Sequence, residues 1–170
     1  VYKRQDIEGL SNSKEFLNNM KKSFPDNINY LRTMAELFYK ADDFESSIQY
    51  YDLIFEKIDK IEFKHWPLFY SSGIALERGK NWERAEKQFL TALQFVPNNP
   101  QVLNYLGYSW IDQGVNINRA LEMIVNAAEQ RPDDGYIIDS LGWAYFQIGN
   151  YEEAVINLEK AVALVSESVI

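Results

Sequence analysis

The stretch PDDGYIIDSLGWAYFQIGNYEEAVINLEKAV, Pro132 to Val162, decides the fold, because the chain writes it more than once. It holds two helix-like runs, one centred on Leu141-Gly142 and one carrying Ala154, Leu158 and Ala161 at helical spacing. Above it align FYSSGIALERGKNWERAEKQFLTALQFVPNN (Phe69–Asn99) and LNYLGYSWIDQGVNINRALEMIVNAAEQRPDD (Leu103–Asp134). Gly73, Gly107 and Gly142 recur in one register, followed by Ala85, Ala120 and Ala154, then Phe89, Ile124 and Leu158, then Ala92, Ala127 and Ala161. The third copy has one extra residue in the turn Gly114–Asn118, and two copies close on Pro97 and Pro132. A blurred copy precedes them, LRTMAELFYKADDFESSIQYYDLIFEKI (Leu31–Ile58), with Ala35 in the glycine place and Phe44 matching Trp82 and Tyr151. Its link to the next copy is longer, through IEFKHW. Self-similarity at this period marks stacked supersecondary units, none of which buries its apolar face alone.

Each copy predicts two amphipathic helices. The mid-helix glycine lets the second helix approach the backbone closely, which offsets a propensity cost of about 1 kcal/mol. Gly114 and Gly149 stand just past the first helix, where a left-handed residue is favoured. Asn99-Pro100 supplies an N-cap and a proline at the first helical position. The expected frame is a partial unit over 1–27 (second helix about 12–24), a degenerate unit over 28–65, and units over 66–99, 100–134 and 135–170, forming one continuous solenoid.

Composition narrows the function. Of the 170 residues, 46% are hydrophobic and 15% aromatic, too many for a disordered chain. No apolar run approaches the ~20 residues of a membrane span. Cysteine is absent, which removes disulfides and thiolate metal sites. The net charge is −8, and residues 100–170 hold ten Asp/Glu against three Lys/Arg. A nucleic-acid binder needs a Lys/Arg-rich face to displace counterions, so nucleic acid is an unsuitable partner.

The repeated pattern resembles the tetratricopeptide repeat, on Leu106-Gly107, Leu141-Gly142, Tyr145, Ala85 with Phe89, and Pro97. The first unit departs from it, with Ser47 and Ile54 in the two alanine places. The resemblance implies an all-α fold, a right-handed superhelix of stacked antiparallel helix pairs. It also implies a non-enzymatic scaffold whose first helices line a concave groove for a peptide or protein segment. Carried over by register, the candidate groove residues are Tyr70, Ile74, Glu77 (with Arg78), Asn104, Tyr108, Ile111 (with Asp112), and Asp139, Trp143, Phe146 (with Tyr136 and Gln147). The first unit adds Arg32 and Glu36. Tyr108 and Trp143 share a register and are the expected aromatic anchors, with Asn104 and Asp139 supplying hydrogen bonds.

Repeat proteins of this family that hold acidic C-termini use a basic clamp, and here those places read Asn29, Arg32, Thr33 and Glu36, then Pro67, Tyr70, Ser71 and Ile74, then Gln101, Asn104, Tyr105 and Tyr108. The clamp is absent, so the expected partner is neutral or basic with apolar anchors. No P-loop, nucleophile elbow or metal-ligand spacing appears, and no cofactor is expected. His65 stands alone between Lys64 and Trp66 and reads as a surface or packing residue. Asp42-Asp43 and Asp133-Asp134 precede helices and read as caps.

Solenoids need polar ends, and AVALVSESVI leaves the apolar face of residues 151–165 uncovered. The expectation is therefore an excised part of a longer protein. The alternatives are self-association through that end, giving a homo-oligomer, or a non-catalytic part of a larger enzyme or envelope complex. The wording of residues 66–165 resembles repeat proteins of the proteobacterial envelope, which implies a periplasmic or outer-membrane setting, with the cytoplasm as the alternative.

Overall fold

The computed structural model describes residues 27–167. The expected partial unit, with its helix at about 12–24, lies outside them. Eight α-helices and no strands occur among the described residues. They are α1 (Ile28–Lys40), α2 (Phe44–Glu56), α3 (Trp66–Arg78), α4 (Trp82–Phe95), α5 (Pro100–Asp112), α6 (Ile117–Gln130), α7 (Gly135–Gln147) and α8 (Tyr151–Glu167), with one 3-10 turn, Phe63–His65, before α3. The chain divides into two compact units, one up to Ala85 and one from Glu86.

Recurrent caps start the first helix of each pair. Asn27, Asn99 and Asp134 occupy one register, and each side chain accepts from the backbone N–H groups two and three residues on. This satisfies donors that no helical carbonyl reaches. His65 fills the same register before α3 but makes no such cap. Its Nδ1 instead accepts the Glu62 N–H at 3.0 Å, tying the longer linker to the helix it precedes. Of the two acidic pairs, Asp134 caps α7 and Asp43 caps α2 through Ser46 N–H.

The turn inside each pair needs one left-handed residue, and the four copies supply Asp42 (φ 58°), Lys80 (φ 60°), Gly114 (φ 68°) and Gly149 (φ 80°). The extra residue of the third copy is absorbed by Asn116, also left-handed at φ 49°.

In the unit from Glu86, α5 pairs with α6 and α7 with α8, and α7 also packs on α5 and α6. The glycines fix how closely the pairs approach. A Cβ on Gly142 would lie 2.7 Å from Leu158 Cγ, and one on Gly107 would lie 2.8 Å from Ile124 Cγ1 and 2.9 Å from the Ala120 carbonyl oxygen. Trp110 fills the core of this unit, with Nε1 donating to Glu86 Oε1 at 2.6 Å and Arg119 over its ring at 5.2 Å.

In the unit up to Ala85 the pair α1–α2 uses a different device. Ser47, in the alanine place, is fully buried, and its hydroxyl donates across the pair to the Ala35 carbonyl at 2.8 Å. Ile54, in the second alanine place, is also fully buried. The substitutions that blur the repeat pattern are thus absorbed in packing and a satisfied hydrogen bond.

Candidate functional site

Caps and glycines together set the rotation of the first helices, and so decide which side chains face outward. In the unit from Glu86 these helices are α5 and α7, which pack against each other. Tyr108 on α5 and Trp143 on α7 stand in the same register. Tyr108 is 39% exposed, and Trp143 is half-buried with its ring stacked on Phe146 at 5.5 Å between centroids and 20° between planes. Phe146 is 47% exposed and meets Tyr151 at 5.6 Å. An aromatic strip therefore runs from the face of α7 to the start of α8.

Two polar atoms beside the strip lack a hydrogen-bond partner. Asn104 Oδ1 and Trp143 Nε1 are buried and unsatisfied. Leaving such a group unpaired costs about 1–3 kcal/mol. Asp139 is exposed on the same helix as Trp143. Neither α5 nor α7 contains a lysine or arginine, so the charged side chains of this face are carboxylates.

Ile111 requires a correction. It is only 2% exposed and belongs to the core of this unit beside Leu106 and Trp110, so it offers no surface to a ligand. Three consecutive buried positions, Ser109 to Ile111, face inward at this end of α5, because α5 is wrapped by both its own partner α6 and the following α7. Position in the repeat alone does not reveal that wrapping.

In the unit up to Ala85, Tyr70, Ile74 and Glu77 all lie on α3 and are half-buried. Ile74 lines a cleft of about 200 Å³ with Glu36, Tyr39, Lys40, Tyr51 and Ser71. A second opening of about 350 Å³ shares Glu36, Tyr51 and Ser71 and adds Arg32, Lys64 and His65. Burial pushes the Tyr51 hydroxyl up to about 12, partly opposed by its hydrogen bond with Ser71. The Tyr70 hydroxyl is also raised, by burial and then by Tyr39. Both phenols stay neutral and able to donate across the biological pH range. Lys64 and His65 reach this cleft only because the longer linker folds back as the 3-10 turn. A repeat alignment treats that linker as an insertion and carries no signal for it.

Among the described residues no group of three or more His, Cys, Asp or Glu side chains is arranged to hold a metal ion. No helix among them is long and apolar enough to cross a membrane.

The comparisons with known proteins agree with this architecture. The family model described as tetratricopeptide repeat matches residues 137–164. A TPR repeat-containing protein of Pseudomonas aeruginosa is 30% identical over 95 residues, covering 56% of this chain. The chain spans only 16% of that protein's length. Among solved structures, MamA is similar with a TM-score of 0.77 at 16% identity, over 98% of this chain and 95% of that one. YrrB, described as a TPR protein with an unusual peptide-binding site, is similar with a TM-score of 0.70 at 16% identity, over 94% of this chain and 80% of that one.

Proposed function

We propose that this chain, which is a tetratricopeptide-repeat protein, acts as a non-enzymatic scaffold that holds a segment of another protein against the outward face of α5 and α7. The observation that carries this reading is the Trp143–Phe146 stack, with Phe146 and Tyr108 exposed. Exposed aromatic side chains give large contact area at low entropic cost, which is why they dominate binding hot spots. Asp139 and the lack of cations on α5 and α7 favour a neutral or basic segment over an acidic tail. The peptide-binding site named for YrrB is in keeping with this use of the fold. The resemblance of residues 66–165 to envelope proteins is what suggests the periplasm as the setting.

The test is a paired capture from lysate of the parent cell, with wild type beside the Tyr108→Ala/Trp143→Ala double variant and identification by mass spectrometry. Circular dichroism confirms that the variant is folded. A protein held by wild type and absent from the variant supports the groove. Identical captures from both would sink it.

A further inference from the structure

The chain's single histidine holds the linker before α3. His65 stands at the register of Asn27, Asn99 and Asp134, whose side chains accept from the N–H groups two and three residues on. That device is not fully open to it, because the residue two places on is Pro67, which carries no N–H. The imidazole turns back instead. Its Nδ1 accepts the Glu62 N–H at 3.0 Å, while the His65 N–H donates to the Glu62 carbonyl at 2.9 Å. This exchange closes the 3-10 turn Phe63–His65, and the Trp66 N–H completes it on the Phe63 carbonyl.

The other caps offer an amide or carboxylate oxygen, which accepts throughout the range in which imidazoles gain a proton. An imidazole nitrogen accepts only while it carries no proton. The bond from Glu62 therefore assigns a neutral ring with its proton on Nε2.

His65 is half-buried and lines the opening of about 350 Å³ with Lys64, with Arg32 and Glu36 of α1, and with Tyr51 of α2. From α3 the opening receives Pro67, Leu68 and Ser71, none of which ionises in this range. The Tyr51 phenol, held up to about 12 by burial, is neutral in acid. The carboxylates on hand already have cations. Glu36 faces Arg32 at 3.7 Å, and Glu62 meets Lys64 at 2.8 Å. A proton on His65 thus adds a third cation to this wall and leaves no carboxylate of the set unmatched to receive it. It also puts positive charge at the start of α3, against the helix dipole, and sets Nδ1–H against the Glu62 N–H, donor against donor.

We propose that this turn is an acid-released clasp: protonation of His65 frees the Glu62 N–H, loosens residues 62–66 and moves the wall of the opening over Tyr51 and Ser71. The neutral ring holds the turn, so the clasp is closed at high pH and released as pH falls through the titration of the ring. The shape of the opening, and with it what the opening fits, then depends on pH.

The test is nuclear magnetic resonance of the isotope-labelled full chain from about pH 8 to about pH 5, where one histidine gives one set of imidazole signals. At the upper end the Glu62 amide should couple across its hydrogen bond to an unprotonated Nδ1. That coupling disappears as the ring titrates. Over the same range the amide exchange of Glu62, His65 and Trp66, corrected for the intrinsic effect of pH, rises about tenfold. In His65→Ala, with circular dichroism confirming the fold, exchange is already at the acid level of wild type and stays flat. A proton on Nδ1 at the upper end overturns the proposal, as does exchange that ignores the titration of the ring. An equal acid response in His65→Ala also overturns it, because a carboxylate such as Glu36 or Glu62 is then the sensor.

Discussion

Alanine at Gly142 isolates the close approach of α7 and α8 from every other feature of the fold. The added Cβ would lie 2.7 Å from Leu158 Cγ, 2.9 Å from its Cδ2 and 3.1 Å from its backbone nitrogen. Carbon atoms rest at about 3.5–4.0 Å, so the overlap is about 1 Å. Rotating the leucine relieves two of the three contacts, and the third holds α8 back. Overpacking of this size costs about 1–3 kcal/mol, against a helix-propensity gain of about 1 kcal/mol for replacing glycine. The net expectation is a loss of up to about 2 kcal/mol, or a fall in Tm of up to about 4–8 °C for a chain of this length. Gly142→Leu should cost more. In a Leu158→Ala background the overlapping side-chain atoms are gone and only the 3.1 Å contact to the backbone nitrogen remains, so Gly142→Ala should cost clearly less than in wild type. Gly107 is the contrasting case. Its Cβ would meet the Ala120 carbonyl oxygen at 2.9 Å, a backbone atom, so Ile124→Ala cannot relieve Gly107→Ala in the same way. Thermal and denaturant unfolding of the single and double variants measures the cycle. A Gly142→Ala protein with a raised Tm in both backgrounds would refute the close approach as the glycine's purpose.

Three further outcomes follow from individual contacts. Glu86→Ala leaves Trp110 Nε1 buried without an acceptor and should cost about 1–3 kcal/mol in denaturant unfolding, whereas Glu86→Gln, which keeps an acceptor, should cost less. Lys80→Gly relieves a left-handed backbone and should stabilise by about 0.5–1 kcal/mol, and Asp42→Gly should behave alike. The folded-state pKa of Tyr51 is raised to about 12 by burial, above the unfolded value of 10, so its contribution is fully present below pH 10 and is lost as pH climbs toward 12. Unfolding free energies between pH 8 and 11.5 should fall by about 2 kcal/mol at most from this group, with a shallower slope in Tyr51→Phe.

Most of the fold was legible because its determinants recur. Gly107 and Gly142, the caps Asn99 and Asp134, and the turn glycines Gly114 and Gly149 each appear at the repeat interval, and repetition turns weak local signals into a register. What escaped was non-repeating. Lys80 and Asp42 take the left-handed turn position without the glycine that announces it, because the surrounding helices hold them there. Ser47 looked like a defect in the pattern, yet its hydroxyl bridges to Ala35, a contact between residues far apart in sequence. Of the candidate site, Tyr108, Asp139 and Phe146 are exposed, whereas Ile111 is sealed by the wrapping of α5. Register fixes the direction of a side chain, and neighbouring helices decide whether that direction meets water.

On the proposed function, the outward face of α5 and α7 binds a peptide through Tyr108 and Trp143. The most direct test is calorimetric titration of a peptide selected on the wild-type protein from a random display library. The titration is run in parallel on wild type, on Tyr108→Ala/Trp143→Ala, and on Val155→Asp as a control on the face of α8. Removing two aromatic anchors of about 2 kcal/mol each should weaken the groove ligand about a thousandfold, with the α8 control unchanged. Equal affinity for wild type and the double variant, or a loss confined to Val155→Asp, would contradict the assignment of this face.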